Sequence, residues 1–254
     1  SEFKYNKANR LKQFTRNNQT TVYAYNPKGL RVRKSIIQNG NISTIYYIYN
    51  ENGLLLSESN ADGSDRKDYV YLDNEPVALI TASNTYFYHN DHLGTPRIMT
   101  DEAKNIVWAA DFTTYGKAKL TTGKIINNIR LPGQYFDTES GYHYNWHRYY
   151  DPSLGRYLRS DPIGLAGGIN TYGYVGNNPV NNYDPNGLTA IPIVGPGPTP
   201  AAHPVFLPGT KENMAFVDSV IQISDLFGNE DNESCEVDNA GLKISPAANN
   251  IEPP

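Results

Sequence analysis

The sequence is poor in cysteine, in long apolar runs and in charged residues, and each shortage excludes or disfavours a class of protein. Its 254 residues include one cysteine, Cys235, so no disulfide can form within the chain. No apolar run approaches the roughly 20 residues of a membrane-spanning helix. Charged residues make up only 19% of the chain, and the net charge is −4. We therefore expect no membrane span, and an acidic balance disfavours nucleic acid as a partner.

Tyrosine is abundant instead, with 20 residues in the chain, alongside 21 glycines and 17 prolines. Tyrosine favours strands, while glycine and proline favour turns. The composition therefore predicts an all-β fold with many turns.

A degenerate repeat runs through residues 1–130. A tyrosine precedes an asparagine at Tyr5-Asn6, Tyr25-Asn26 and Tyr49-Asn50, with alternating or β-branched stretches between them. Repeats of roughly 20–25 residues are typical of stacked arrays, in which each unit needs a neighbour to bury its face. We predict an array of β-hairpins. Rows of tyrosine could also form a sugar-binding platform, but packing within the sheet explains the pattern better.

The rest of the chain divides into two parts. Residues 131–188 contain three Asp-Pro pairs, which begin at Asp151, Asp161 and Asp184 and predict a turn-rich plug. Residues 189–254 hold nine acidic but only two basic residues, and they begin with a proline-rich linker. Within this acidic tail the pattern predicts one amphipathic helix over 210–228.

Four motifs follow one another in residues 155–188. They are Gly155-Arg156-Tyr157-Leu158, Asp161-Pro162-Ile163-Gly164-Leu165, Asn177-Asn178-Pro179-Val180-Asn181 and Asp184-Pro185-Asn186-Gly187-Leu188. With these motifs and the tyrosine repeats, residues 1–188 resemble the C-terminal end of the bacterial Rhs/YD-repeat proteins. The tail, 189–254, is not covered by the resemblance.

The resemblance implies a fold and an activity. In that family the repeats coil into a β shell, and the conserved segment forms an inner plug that acts as a single-turnover intramolecular aspartyl protease. The family pattern makes Asp161 and Asp184 the catalytic pair and Leu188–Thr189 the bond that is cut. The tail would then be cargo enclosed by the shell. Further expected partners are a delivery apparatus, such as type VI secretion, that exports the protein from the bacterial cytoplasm, and an immunity protein.

The chemistry of such a site can be argued from the residue types. Two neighbouring carboxylates resist ionising together, so one can activate a water while the other donates a proton. Gly187 would allow Asp184 to turn back towards Leu188. We expect Arg156 or Arg159 to hold a carboxylate in place, although some relatives carry an arginine where this chain has Ser160.

Other features of the sequence allow further interpretations. Asp151 reads as a structural turn residue. The pairs His89/His92 and His143/His147 could converge on a metal, but no third ligand is evident, so neither a metal nor a cofactor is predicted. The alternative function is a non-catalytic structural or carbohydrate-binding module. We also expect the open sheet edges to pair between copies, or with further repeats of a longer protein.

Overall fold

The computed structural model describes residues 1–193. This part is built from antiparallel strands and two short 3-10 turns, Gly164–Gly167 and Val175–Asn177. None of its helical segments has the length and apolar character needed to cross a membrane. The helix predicted over 210–228, and Cys235, lie outside the described residues.

Twelve strands form one antiparallel sheet in chain order, so that each strand lies beside its neighbours in sequence. They are β1 (Glu2–Tyr5), β2 (Leu11–Arg16), β3 (Gln19–Tyr25), β4 (Arg31–Gln38), β5 (Asn41–Tyr49), β6 (Leu55–Asn60), β7 (Lys67–Leu72), β8 (Glu75–Thr81), β9 (Thr85–Asn90), β10 (Pro96–Thr100), β11 (Ile106–Phe112) and β12 (Ala118–Gly123). The predicted all-β hairpin array is confirmed.

The turns explain the Tyr-Asn repeat. The side-chain oxygens of Asn6, Asn26 and Asn50 each accept the backbone N–H four residues later, at 2.9 Å. An asparagine in this position closes a tight turn with its own side chain. Gly29 and Gly53 complete two of these turns with φ values of +87° and +83°. The repeat therefore marks the turns: each asparagine closes a turn, and the tyrosine before it is the last residue of a strand.

A second, smaller sheet follows the long one. It contains β13 (Tyr135–Asp137), β14 (Tyr142–Asn145), β15 (Arg148–Asp151) and β16 (Arg156–Tyr157), again antiparallel and in chain order. The start of the plug is thus more regular than its turn-rich sequence indicated, because its many tyrosines pack as strand residues on both faces. A last pair, β17 (Asn182–Tyr183) with β18 (Ile191–Pro192), lies beyond the irregular segment.

The long sheet curves around the small one. Phe3 of β1 stacks near Tyr142 of β14, with ring centroids 5.9 Å apart, and Arg130, just before β13, lies 5.9 Å from the Trp108 ring of β11. In a flat sheet, ten strand spacings would separate β1 from β11 by about 48 Å, while four strands span only about 15 Å. The long sheet must therefore bend to reach the small sheet at both places.

Tyrosines fill the space between the two sheets. Tyr23, Tyr47 and Tyr69 of the long sheet are buried, as are Tyr135 and Tyr149 of the small one. The rings of Tyr47 and Tyr135 meet edge to face with centroids 5.5 Å apart. These tyrosines are consequently used in packing and do not form an open platform for a sugar.

A buried ionic cluster also joins the sheets. Arg31 and Lys34 of β4 both pair with Asp137 of β13, at 2.5 and 2.9 Å, and Lys34 also reaches Glu139 at 3.2 Å. Burial alone would raise the pKa of Asp137, but the charges of Arg31 and Lys34 outweigh it and lower that pKa. Burial and the nearby Asp137 charge raise the pKa of Glu139. The cluster therefore fixes which part of the plug faces β4.

Buried His143 predicts a specific sensitivity to acid. Burial, followed by the charge of Arg130, lowers the pKa of His143 from 6.5 to about 3. The unfolded chain thus binds this proton first, so stability is lost as pH falls from 6.5 towards 3. Between these pH values the free energy of unfolding falls by about 1.4 kcal/mol for each pH unit. In His143→Gln, denaturant unfolding between pH 4 and 6 should show a free energy of unfolding that falls less steeply with pH than in the wild type. Equal slopes in the variant and the wild type would refute the prediction.

Candidate functional site

Asp184 organises the loop that contains the candidate bond. Its Oδ1 atom accepts the backbone N–H groups of Gly187, Leu188 and Thr189, at 2.9, 3.1 and 3.3 Å. An aspartate before a Pro-Asn-Gly turn forms this kind of local bond readily. The aspartate, only 2% exposed, thereby bends the chain around its own carboxylate.

Gly187 lies where the loop packs against the small sheet. Its φ is +75°, and a Cβ on it would lie 2.5 Å from the carbonyl oxygen of Asn145. On the other side of the loop, Gly133 approaches the carbonyl oxygen of Pro185 so closely that no side chain would fit there either. The sequence Asp-Pro-Asn-Gly-Leu is therefore held by backbone contacts that only glycine allows.

Gly187→Ala is expected to displace the loop and slow any reaction at Leu188 by about tenfold or more, since small misplacements of reacting groups are costly. The matched control is Gly141→Ala, where φ is +78° but no atom lies within 4 Å of the added Cβ. The control carries the same backbone strain without the collision. Equal cleavage rates in the two variants, measured by pulse-chase synthesis, would refute the role given to Gly187.

Asp161 lies near the same bond, beside Gly167. Its backbone N–H donates to the Thr171 carbonyl at 2.8 Å, and its Oδ1 accepts the N–H of Ile163 at 3.0 Å. A Cβ on Gly167 would collide with Asp161 Oδ2 and lie 3.2 Å from the Leu188 carbonyl oxygen. Because both oxygens lie beside this one point, the Asp161 carboxylate and the Leu188 carbonyl are neighbours across Gly167.

Arg148 bridges the two aspartates. One of its terminal nitrogens lies 2.9 Å from Asp161 Oδ2 and 3.4 Å from Asp184 Oδ2. Its Nε donates to the carbonyl of Gly187 at 2.5 Å, and its other terminal nitrogen donates to the carbonyl of Thr171 at 3.1 Å. The side chains of all three charged residues are at most 3% exposed. A single buried guanidinium thus joins residues that are far apart in sequence.

Tyr157 completes the surroundings of Asp184. Its hydroxyl donates to Asp184 Oδ2 at 2.7 Å and accepts a hydrogen bond from Asn145 Nδ2 at 2.9 Å. Burial, followed by the negative charge of Asp184, raises the pKa of Tyr157 well above its usual value. The ring also lies 3.6 Å from the centre of the Arg148 guanidinium. Tyr157 is consequently a neutral donor that holds one oxygen of Asp184.

The prediction that Arg156 or Arg159 holds a carboxylate is wrong for the described residues. Arg156 is exposed, and Arg159 donates to the carbonyl of Asn9 and lies over the Tyr5 ring of β1. Arg156 faces solvent because it alternates with the buried Tyr157 in β16, and Arg159 is half-buried against β1 instead of the aspartates. Arg148 takes the predicted role instead. No spacing rule in the sequence connects it with either aspartate.

The histidines considered as metal ligands have other partners. Nε2 of His89 lies 3.0 Å from Thr100 Oγ1, and Nδ1 of His143 lies 2.6 Å from Gln134 Oε1. His92 and His147 each contact a backbone carbonyl, of Val180 and Asn186 respectively. Within residues 1–193 no three side chains of histidine, cysteine, aspartate or glutamate cluster as metal ligands.

The fold is an antiparallel sheet of hairpins that curves around a smaller sheet, and known proteins resemble this chain in sequence and in fold. An RHS protein family model matches residues 85–120. Double-stranded DNA deaminase toxin A of Burkholderia cenocepacia is 40% identical over 120 residues, which are 45% of this chain and 8% of that toxin. Toxin protein Tse5 of Pseudomonas aeruginosa is 44% identical over 108 residues, 42% of this chain and 8% of Tse5. These matches support the resemblance to the Rhs repeat family, and the chain spans about 8% of the length of these two relatives.

Solved structures share the fold. The crystal structure of TcdB2-TccC3 matches 73% of this chain and 10% of that chain, with 26% identity and a TM-score of 0.60. The Tc holotoxin pore of Photorhabdus luminescens, in a form with mutated TccC3, matches 81% of this chain and 10% of that chain. Its identity is 24% and its TM-score 0.61. The hairpin sheet and its plug are therefore an architecture also found in a toxin complex.

Proposed function

We propose that residues 131–188 act as an intramolecular aspartyl protease that hydrolyses the Leu188–Thr189 bond once. One observation carries the proposal: Asp161 and Asp184, which are 23 residues apart in sequence, both lie within 3.4 Å of the same terminal nitrogen of Arg148. Asp184 accepts the N–H of Thr189, and Asp161 lies beside the carbonyl oxygen of Leu188.

The proposed chemistry assigns each carboxyl group a separate task. Asp184 takes a proton from a water molecule, whose oxygen adds to the Leu188 carbonyl carbon. Asp161 donates a hydrogen bond to the carbonyl oxygen as negative charge develops there. The carbon–nitrogen bond then breaks, and Asp184 passes its proton to the Thr189 nitrogen. The products are a carboxyl group on Leu188 and a free amine on Thr189, so atoms and charges balance.

This division needs one ionised and one protonated carboxyl group. Arg148 places one positive charge beside both aspartates. Tyr157 holds Asp184 without adding charge, since its hydroxyl stays protonated.

The test compares the wild type with Asp161→Asn and Asp184→Asn by intact mass after purification. Each replacement keeps the size of the side chain but removes its proton chemistry, so both variants should stay uncut while the wild type yields two fragments. The matched control is Asp151→Asn in the first Asp-Pro pair, where the carboxylate accepts two hydrogen bonds from Ser153. That control should cleave; cleavage of either active-site variant at the wild-type rate would refute the mechanism.

The relatives suggest the setting for this reaction. Both are toxins, and each is much longer than this chain. We infer that residues 1–130 and 131–188 belong to a delivery shell with its protease plug, and that residues 189–254 are its cargo segment. A secretion apparatus such as type VI and an immunity protein are the partners this implies. Co-purification of the tail with residues 1–188 after cleavage would support enclosure; free tail from the intact natural protein would contradict it.

A further inference from the structure

The chain beyond the proposed cleavage site returns to the plug. β18 pairs antiparallel with β17, so that Tyr183 lies opposite Ile191 and Asn182 opposite Pro192. The N–H of Ile193 then donates to the carbonyl of Asn181 at 2.7 Å. Residues 184–190 are therefore the loop of a β-hairpin, and the bond between residues 188 and 189 lies within that loop.

We propose that β18 is a positioning strand, which holds the downstream side of the Leu188–Thr189 bond against the two aspartates. This inference rests on the proposed self-cleavage and adds a specificity element to it. The protease would require an extended segment, ending at Ile193, that can pair with 181–183. The residues after the cut would thus be recognised by their backbone as well as by their place in sequence.

Apart from β18, more hydrogen bonds hold the chain before the Leu188–Thr189 bond than the chain after it. Upstream, Asp184 accepts the amides of Gly187 and Leu188, and Arg148 binds the carbonyl of Gly187. Downstream, within residues 1–193, the one hydrogen bond of the loop runs from the Thr189 amide to Asp184, at 3.3 Å. Pairing of β18 with β17 supplies the missing restraint, and reaction rates depend steeply on such restraint.

The sequence of β18 is suited to this task. Pro192 fixes its own φ and disfavours helical conformations for Ile191, so the segment is already extended before it pairs. Proline has no N–H to donate and is tolerated on an edge strand such as this one. The donor to Asn181 comes from Ile193 instead.

The receiving strand, β17, is itself anchored to the irregular segment of the plug and to the long sheet. The backbone N–H of Asn182 donates to the carbonyl of Asn178 at 3.0 Å, within the plug. Just before β17, the carbonyl of Val180 lies 2.8 Å from Nε2 of His92, in the turn between β9 and β10 of the long sheet. The hairpin therefore connects the cleavage loop to the repeat sheet.

The test uses Ile193→Pro in the full chain, which removes the N–H donated to Asn181, and Ile193→Val, which keeps it. Pulse-chase synthesis should show cleavage about tenfold slower or more in the proline variant. The valine variant should cleave at the wild-type rate. Equal rates in all three chains, with equal thermal unfolding midpoints, would overturn the inference.

A second measurement separates this inference from the cleavage mechanism. In the Asp161→Asn chain, amide exchange at Ile193 should be slower than in an unstructured peptide by about tenfold or more, because the group is hydrogen-bonded. Unprotected exchange there would overturn the positioning role even if the wild type cleaves. An uncut wild type with a protected Ile193 amide would instead leave the hairpin in place and refute the proposed protease.

Discussion

Arg148→Met is expected to abolish self-cleavage and to lower the free energy of unfolding by about 3–5 kcal/mol. The change leaves the buried Asp161 and Asp184 without their shared cation, and it also removes the bond that holds the Gly187 carbonyl. Methionine approximates the length of the arginine stem, so the loss measures charge and hydrogen bonding more than volume. Intact mass reports the cleavage, and denaturant unfolding reports the stability.

A second variant separates the two effects of this change. Arg148→Met combined with Asp161→Asn leaves only one buried carboxylate uncompensated, so part of the lost stability should return. Cleavage should remain absent, because one catalytic carboxyl group is missing. If the single variant Arg148→Met cleaves at the wild-type rate, Arg148 neither positions nor neutralises the aspartates during the reaction.

Arg31→Met should destabilise the protein by about 3–5 kcal/mol, because it breaks a buried ion pair on one side only. Arg31 is 0% exposed and forms two hydrogen bonds to Asp137 and one to the Tyr149 hydroxyl. Its guanidinium also lies 4.4 Å from the Tyr144 ring. Denaturant unfolding at neutral pH measures the loss.

The matched control for Arg31→Met is Arg33→Met, in the same strand but exposed to solvent. Its expected effect is within about 0.5 kcal/mol. The double variant Arg31→Met with Asp137→Asn should recover stability relative to Arg31→Met alone, since Lys34 then faces only one carboxylate, Glu139, instead of two. Equal losses in the Arg31 and Arg33 variants would show that the buried cluster does not hold the plug to the long sheet.

Much of the fold could be predicted because its signals are local. The side chain of Asn26 closes its own turn four residues later, and such a rule is visible in sequence. The strands between the turns alternate, as in β5, where Tyr46 is exposed and Tyr47 is buried. The curvature of the long sheet was harder to predict from the sequence, because it follows from contacts between distant residues, such as that between Phe3 and Tyr142.

The same distinction between local and long-range signals applies to the residues of the candidate site. Asp184 could be placed beside Leu188 from spacing alone, since four residues and a glycine allow the chain to turn back. Arg148 could not be identified, because only the packed sheet brings β15 between Asp161 and Asp184. Tyr157 belongs to the motif at 155–158, but its hydrogen bond to Asp184 depends on the same packing of the small sheet. Long-range pairing of charged groups leaves no periodic trace in a sequence.

The most direct measurement is the sequence at the ends of the purified wild-type protein. We expect two pieces, one that ends at Leu188 and one whose first residue is Thr189. We also expect a single uncut chain of 28.3 kDa when Asp161 is replaced with asparagine. A wild-type chain that stays whole after folding, or a break at any other bond, would contradict this expectation.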